Sequence, residues 1–453
     1  MNNIDVLKTR KAEYFSKTAT ARKNLSSVID EGSFVELNAF SFTKGEFYDG
    51  SNGEAGVITG YATVDGFPVY VIAQNKEVLN GGLSKCGLDK MTACLEKAIL
   101  NETPIIYLLE SNGVQVSEGV SLLEGIAKLV NASNALKDVA PQFVIATGDV
   151  LGSTALIASN ADFTFVVKDA CVSYASPAVI SATGENVDKK AIANAKSGLK
   201  TFAVDSIEDA KAKILDILSL LPRFSGYEVD TNDDLMRSAP ALNEKASAED
   251  IISATFDDGK FVKMNEAFVP SVITGVGRVG GISTASIIMG GGEEGVEITL
   301  DVALKIKNFA NFARDNALPV VMFINSVGIK KDVDTANSSV MTELMNALYN
   351  LSELKRISVV YNKAIGLGYL FASKSLGSDY TYAYAGSKIS LLDGVEGISA
   401  TYGTVDPEEV QALASKYEAS QDSFGSAKIG LVDNIIEPEF TRQYVISALQ
   451  MIL

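Results

Sequence analysis

Pro104-Ile-Ile-Tyr-Leu-Leu-Glu-Ser-Asn-Gly113 is a short apolar run that stops at a small polar turn, and it returns as Pro319-Val-Val-Met-Phe-Ile-Asn-Ser-Val-Gly328. A wholly apolar run of this length, bounded by turn residues, is the pattern of a strand buried on both faces in a parallel sheet. The proline, the serine and the glycine of the first copy each recur 215 positions later. Aligning residues 59–113 on 274–328 without gaps gives 11 identities in 55 positions; ordinary composition gives about three or four. Asp162-Phe163 is echoed by Asp379-Tyr380, and Gly198-Leu199 by Gly430-Leu431. A period this long marks a duplicated domain rather than a solenoid. Two homologous domains are therefore expected at 1–222 and 245–453, joined by a polar linker over 223–244.

Outward from the opening run, the pattern alternates strand and helix. Val57–Val64 and Phe67–Ala73 flank Asp65-Gly66 and read as a hairpin. Helical spacing follows over 87–101, 119–137 and 153–160, with apolar runs at 142–147 and 163–168 between and after. Residues 4–30 read as one N-terminal helix ending at Asp30-Glu31-Gly32-Ser33. The fold class is α/β, built from βαβ units on a parallel core sheet.

Composition narrows the chemistry. The 453 residues include no histidine, which removes Ser-His-Asp and Cys-His nucleophile systems, His-ligated zinc and any imidazole base. The three cysteines, Cys86, Cys94 and Cys171, form no CxxC pair and suit a thiol-reducing cytoplasm. A net charge of −17 argues against binding nucleic acid. No metal site, signal peptide or membrane-spanning run is legible.

The same punctuation marks both halves. One apolar strand ends at Glu110-Ser-Asn112-Gly113 and its twin at Asn325-Ser-Val-Gly328. A second strand ends at Thr147-Gly-Asp-Val-Leu-Gly152-Ser153-Thr154 and its twin at Asn362-Lys-Ala-Ile-Gly366-Leu367-Gly368-Tyr369. A strand that stops at glycine before a helix offers unpaired N–H groups at the positive end of the helix dipole, where an anion can be held. Such turns also serve plain packing in α/β folds; their occurrence as a matched pair favours the anion sites. No phosphate-loop GxxxxGK[ST] is present. Tyr380-Thr-Tyr-Ala-Tyr384 reads as one strand face rather than a proton relay. Asp233-Asp234 and Asp257-Asp258 read as solvated linker and turn residues, and Gly290-Gly-Gly-Glu-Glu294 as a surface turn.

Taken in order, these motifs resemble the carboxyltransferase subunits of biotin-dependent acyl-CoA carboxylases and decarboxylases, within the crotonase superfamily. The resemblance runs through Ser33-Phe-Val-Glu-Leu37, Ala55-Gly-Val-Ile-Thr-Gly-Tyr61, Ser117-Glu118-Gly119, Pro141-Gln142, Thr274-Gly275 and Lys363-Ala364, and ends in Gly430-Leu-Val-Asp-Asn-Ile-Ile-Glu-Pro438 with Thr441-Arg442. It implies two tandem crotonase-like domains of the ββα superhelix type. It implies that N–H groups of the first domain, at Gly152 and Ser153, hold the thioester carbonyl of a coenzyme A substrate. Those of the second, at Leu367 and Gly368, would hold the ureido oxygen of biotin, with Asn112, Gly113, Gly328 and Gly366 lining the sites. CO2 would pass between carboxybiotin and the α-carbon through a thioester enolate, with biotin as the base. The chain has no Ala-Met-Lys-Met attachment motif, so biotin would arrive on a separate biotin carboxyl carrier protein. A biotin carboxylase or a membrane decarboxylase subunit would supply or drain the carboxyl group. The resemblance also implies an oligomer, with the first domain of one subunit facing the second domain of another.

Departures from the family pattern are specific. Ser153 stands where relatives have glycine, Leu367 interrupts a Gly-Gly-Ala-like turn, Asn325-Ser-Val-Gly328 replaces Asp-x-Pro-Gly, and Gln115 replaces an arginine. They leave a second reading, a degenerate paralogue that acts as the structural partner of an active subunit. A crotonase-type hydratase needs paired carboxylates, and Glu118 stands alone; a ClpP-like hydrolase needs a histidine.

Overall fold

The computed structural model describes residues 2–41, 55–137, 139–185, 195–196, 201–290, 292–392, 394–402, 406–419 and 421–453. Gly198-Leu199 and Gly291 lie outside these. The chain divides into two compact units, Met1–Asp216 and Ile217–Leu453, with the division inside the helix Ile207–Leu220.

In unit 1 the strands are β1 (Val35–Leu37), β2 (Val57–Val64), β3 (Phe67–Gln74), β4 (Ile105–Ser111), β5 (Gln142–Leu151), β6 (Phe163–Val167), β7 (Val172–Ser173) and β8 (Thr201–Val204). Their order is β1-β2-β3-β4-β5-β6-β8, with β7 on β5. The first two pairings are antiparallel and the rest parallel. Unit 2 repeats this plan with β9 (Phe261–Met264), β10 (Val272–Val279), β11 (Ile282–Met289), β12 (Val296–Ile298), β13 (Val320–Ile329), β14 (Arg356–Ile365), β15 (Tyr380–Tyr384), β16 (Lys388–Ser390) and β17 (Asn434–Ile436). The order is β9-β10-β11-β13-β14-β15-β17, with β12 on β13 and β16 on β14.

The hairpins form where two successive residues take positive φ, Asp65 and Gly66 in one unit and Gly280 and Gly281 in the other, as a tight turn between twisted strands demands. A carboxylate sits under each turn. Asp30 accepts from the Asp65 and Gly66 N–H groups at 2.8 and 3.0 Å and from the Thr63 hydroxyl at 2.6 Å. The Thr63 hydroxyl is the main cause of a carboxyl held below its usual range. Asp257 accepts from Gly280 and Gly281 at 2.8 and 2.7 Å and pairs with the buried Arg442 at 2.7 Å. Asp233 pairs with Arg237 at 3.0 Å and lies 3.4 Å from Arg442. The reading of Asp233 and Asp257 as solvated is thus corrected: an arginine 185 positions after Asp257 (442 − 257 = 185) draws both inward.

Parallel strands are entered by a second repeated device. Asp162 accepts the Gln142 N–H at 2.8 Å and Asp379 the Arg356 N–H at 2.7 Å, which fixes where β5 and β14 begin. Tyr380 and Tyr382 lie on one strand face with rings stacked at 6.3 Å. The Tyr384 hydroxyl is paired with Thr441 at 2.7 Å. The N-terminal segment is two helices, Asn3–Lys17 and Ala19–Val28. They part at Thr18, whose buried hydroxyl donates to the Tyr14 carbonyl at 3.0 Å; a side chain bonded back into the preceding turn bends helices. Among the described residues no helix is long and apolar enough to cross a membrane.

Lys90 and Lys305, again 215 apart, are buried on the helices Lys85–Leu100 and Leu300–Asp315. Lys90 Nζ donates to the Val57 carbonyl; Lys305 Nζ donates to the carbonyls of Asn265, Phe268 and Val269 at 2.9, 2.6 and 3.2 Å. Burial lowers both, and takes Lys305 from 10.5 to about 8. Between those two values the unfolded chain binds a proton that the folded chain does not, so stability rises with pH across that window. We expect Lys305→Met to be less stable than wild type at pH 7, since three carbonyls lose their donor. The gap should widen as pH is raised from about 8 towards 10.5, read from urea midpoints of both proteins in parallel. Arg442→Met should cost unit 2 about 3–5 kcal/mol, because it leaves Asp257 and Asp233 without their shared cation; denaturant unfolding checks this.

Candidate active site

Backbone hydrogen-bond accounting locates the site. β4 and β5 pair in register up to Leu109 and Ala146, then shift so that Ser111 meets Val150. The shift leaves Thr147-Gly148-Asp149 as a bulge, over which the Glu110 side chain lies so closely that a Cβ on Gly148 would sit 2.4 Å from its carboxylate. Glu110 is held there by Lys76 at 2.6 Å. Beyond the bulge β5 leaves β6 and pairs with the two-residue β7. The Gly152 N–H closes that ladder by donating to the Ser173 carbonyl at 3.1 Å. Gly152 is therefore not a free donor, contrary to the role expected for its N–H. Its φ of +62° instead turns the chain into the helix Ser153–Asn160.

Besides those of Asn112 and Thr154, two N–H groups near the turn are left among the described residues. That of Ser153, the first residue of the helix, makes no hydrogen bond among the described residues. The other belongs to Val114. Leu83 donates to the Gly113 carbonyl at 2.8 Å and accepts from the Gln115 N–H at 2.9 Å, so the Val114 N–H between them faces the opposite side. Gly113, with φ +100°, brings this strand end against the turn: a Cβ on Gly152 would lie 3.6 Å from its Cα. Ser111 pins the arrangement. Its hydroxyl donates to the Gly81 carbonyl at 2.7 Å and accepts from the Gly113 N–H and the Thr154 hydroxyl, both at 3.1 Å. Gly113 is thus in the cleft, whereas Asn112 is exposed and makes no hydrogen bond among the described residues.

Unit 2 builds the same turn with different side chains. Ser326 donates to the Val296 carbonyl at 3.0 Å and accepts from the Gly328 N–H at 3.3 Å. Ile298 pairs with Ile329, so Ile329 holds the place of Val114. Gly366, with φ +57°, matches Gly152, Leu367 matches Ser153, and Gly368 matches Thr154. The segment after this turn is the 3-10 helix Gly366–Ala372 rather than an α-helix. Gly328 and Gly366 line a tight cradle: a Cβ on either would come within 3.2 Å of the Ile365 or Leu391 carbonyl. Leu367 is 36% exposed beside Leu391 at 75%.

The second bulge also restrains the Gly-rich loop. Asn325 Nδ2 donates to the Gly290 and Gly292 carbonyls at 3.2 and 2.7 Å, Asn362 to Gly292 at 3.3 Å and Lys363 to Glu294 at 3.3 Å. The Tyr361 hydroxyl donates to the Met289 carbonyl at 2.8 Å, and burial pushes it up to about 12. What reads in sequence as a surface turn is a loop clamped by the strand beneath it. Among the described residues no three metal-ligating side chains converge. Chemically, uncommitted peptide N–H groups such as these can hold an oxygen that gains negative charge. Gly368→Ala should destabilise unit 2 by about 1–3 kcal/mol, because the new Cβ would lie 2.7 Å from the Ser326 hydroxyl; a denaturant titration against wild type measures it.

Comparison with known proteins agrees with this architecture. The chain is 29% identical over 463 aligned residues to the methylmalonyl-CoA decarboxylase subunit alpha of Veillonella parvula, covering 96% of this chain and 90% of that one. It is 27% identical to the methylmalonyl-CoA carboxyltransferase 12S subunit of Propionibacterium freudenreichii subsp. shermanii, covering 95% and 88%. A crystal structure of the transcarboxylase 12S hexamer, with methylmalonyl-coenzyme A and methylmalonic acid bound, superposes with a TM-score of 0.91. The two chains are 24% identical, over 99% of this chain and 95% of that one. The fold is therefore the tandem crotonase-like pair of that enzyme class. The carboxyl transferase domain pattern matches residues 13–453, and the chain belongs to the carboxyl transferase domain family.

Proposed function

We propose that this carboxyltransferase subunit binds the acyl-CoA thioester in unit 1 and the ureido group of biotin in unit 2, each by two peptide N–H groups. The observation that supports the assignment is the duplicated turn, in which Ile329 and Leu367 stand at the positions that match Val114 and Ser153. In unit 1 the Val114 and Ser153 N–H groups take the thioester oxygen. They bind it more strongly as the α-proton leaves and an enolate forms, because the charge builds on the atom they hold. Each such donor is worth about 10²–10³ in rate. The helix Ser153–Asn160 adds the positive end of its dipole.

In unit 2, Gly328 and Gly366 let the backbones of the two strand ends approach closely beside the place proposed for the bicyclic ring. When bound there, carboxybiotin supplies the CO2 and its ureido nitrogen the base. The chain's own part is to hold the ureido oxygen at Leu367 and Ile329 and to exclude water with Leu367 and Leu391. Biotin arrives on a separate carrier protein. Exposed apolar residues beside the unit 1 site, Val116, Val120 and Tyr174, support burial against another subunit, and with it an oligomer.

The test is calorimetric binding of acetyl-, propionyl- and methylmalonyl-CoA, followed by transfer of labelled carboxyl from methylmalonyl-CoA to free biotin. We expect micromolar binding of at least one thioester and label on biotin. Gly152→Val should abolish both, since a β-branched residue at φ +62° displaces the Ser153 N–H. Gly366→Val should spare thioester binding and stop the transfer. Absence of thioester binding by folded wild-type protein would overturn the proposal.

A further inference from the structure

The hydroxyl of Ser153 is buried and has no hydrogen-bond partner among the described residues. Its neighbours are not in that state: Thr154 donates to Ser111 at 3.1 Å and Ser159 to the Ala155 carbonyl at 2.8 Å. A buried hydroxyl left unpaired is destabilising, because it has given up water and gained no partner. An inserted side chain that carries such a cost is retained more readily when a ligand supplies the missing partner.

Position says which ligand atom that is. Ser153 is the first residue of its helix, and its own N–H is among those left unpaired around the unit 1 turn. In two of the three staggered rotamers of a serine, Oγ lies roughly 3 Å from the residue's own nitrogen, so one oxygen can accept from both. The matching residue of unit 2 is Leu367, which has no polar side-chain atom, so the extra donor exists on one side of the duplication only.

We infer that the Ser153 hydroxyl is a third donor to the thioester oxygen. It turns about χ1 when acyl-CoA binds, and its bond strengthens as the oxygen becomes an enolate. The inference rests on the proposed binding of the thioester in unit 1. Ser153 forms no covalent bond and gives up no proton; it only shares its hydrogen with the oxygen. The turn itself does not need the hydroxyl, because Ser111, Gly113 and Gly152 set its shape through their own contacts.

The experiment compares wild type with Ser153→Ala and Ser153→Gly, using propionyl-CoA labelled with ¹³C at the thioester carbonyl. Infrared difference spectra of the bound label read the hydrogen bonding of that carbonyl directly. The bound band should lie at lower frequency in wild type than in either variant. kcat for carboxyl transfer should fall about tenfold or more in both, less than loss of a charge-stabilising peptide donor. The unliganded Ser153→Ala protein should melt no lower than wild type, since it loses an unpaired hydroxyl. An identical band and kcat in all three proteins would sink the inference and leave the thioester site standing. A drop in melting temperature with Ser153→Ala, unaccompanied by a band shift, would make the hydroxyl a packing group and sink it equally. If wild type gives no bound band at all, thioester binding in unit 1 fails and the inference fails with it.

Discussion

A strand that outruns its neighbour must find new partners for its backbone, and this protein is organised around that demand. β5 and β14 are each ten residues long, but their first neighbours, β6 and β15, accompany them for only part of that length. The hand-over to β7 and β16 requires a bulge, a glycine at positive φ and a sharp entry into a helix. Every feature of the candidate site follows from the hand-over. The bulge faces Glu110 in one unit and Asn325 in the other, the glycine clears the neighbouring strand end, and the helix starts with its N–H groups uncommitted. The polar atoms around the turn are then consumed in a fixed order. Ser111 or Ser326 ties strand to loop, β7 takes the Gly152 N–H, and what remains is a small remainder of donors facing one cleft.

Duplication has kept that scheme and changed its contents. The pinning serines and the buried lysines recur at an offset of 215 and the aspartates at strand entry at 217, while the residues at the turn diverge. Thr154 in unit 1 reaches Ser111, whereas its counterpart Gly368 lets the same serine approach the backbone directly. An α-helix follows the first turn and a 3-10 segment the second. Two oxygens of different chemistry, a thioester and a urea, suit two turns of one design and different width.

The sequence made the architecture legible where short-range chemistry decides it. The Asp65-Gly66 hairpin, the helix 153–160 and the run from Pro104 lie where their patterns predict, and the fold class follows from their repetition. The readings that failed depend on distant partners. Asp257 looks like a turn residue until Arg442 is brought to it. Gly152 looks like a donor because the strand that engages it, Val172-Ser173, is two residues long and has no pattern of its own. Val114 carries no motif at all; only the Leu83 pairing on either side fixes the direction of its N–H. The break at Thr18 rests on one hydroxyl turned back into a helix. Family resemblance supplied the chemistry of the site, and the geometry then engaged the Gly152 N–H elsewhere and brought Val114 to the turn.

The donors proposed for the two turns are peptide groups and one serine hydroxyl, and neither kind gains or loses a proton in water at any pH a cell experiences. A site made of them has no protonation state to be set by its surroundings. In the proposed assignment the acid–base character of the reaction is carried by the molecules that visit, the thioester and the ureido ring, rather than by the host. Mutation at the rim can reshape what enters without retuning an acidity. Under the proposed assignment the ligands control the proton and the chain controls only place.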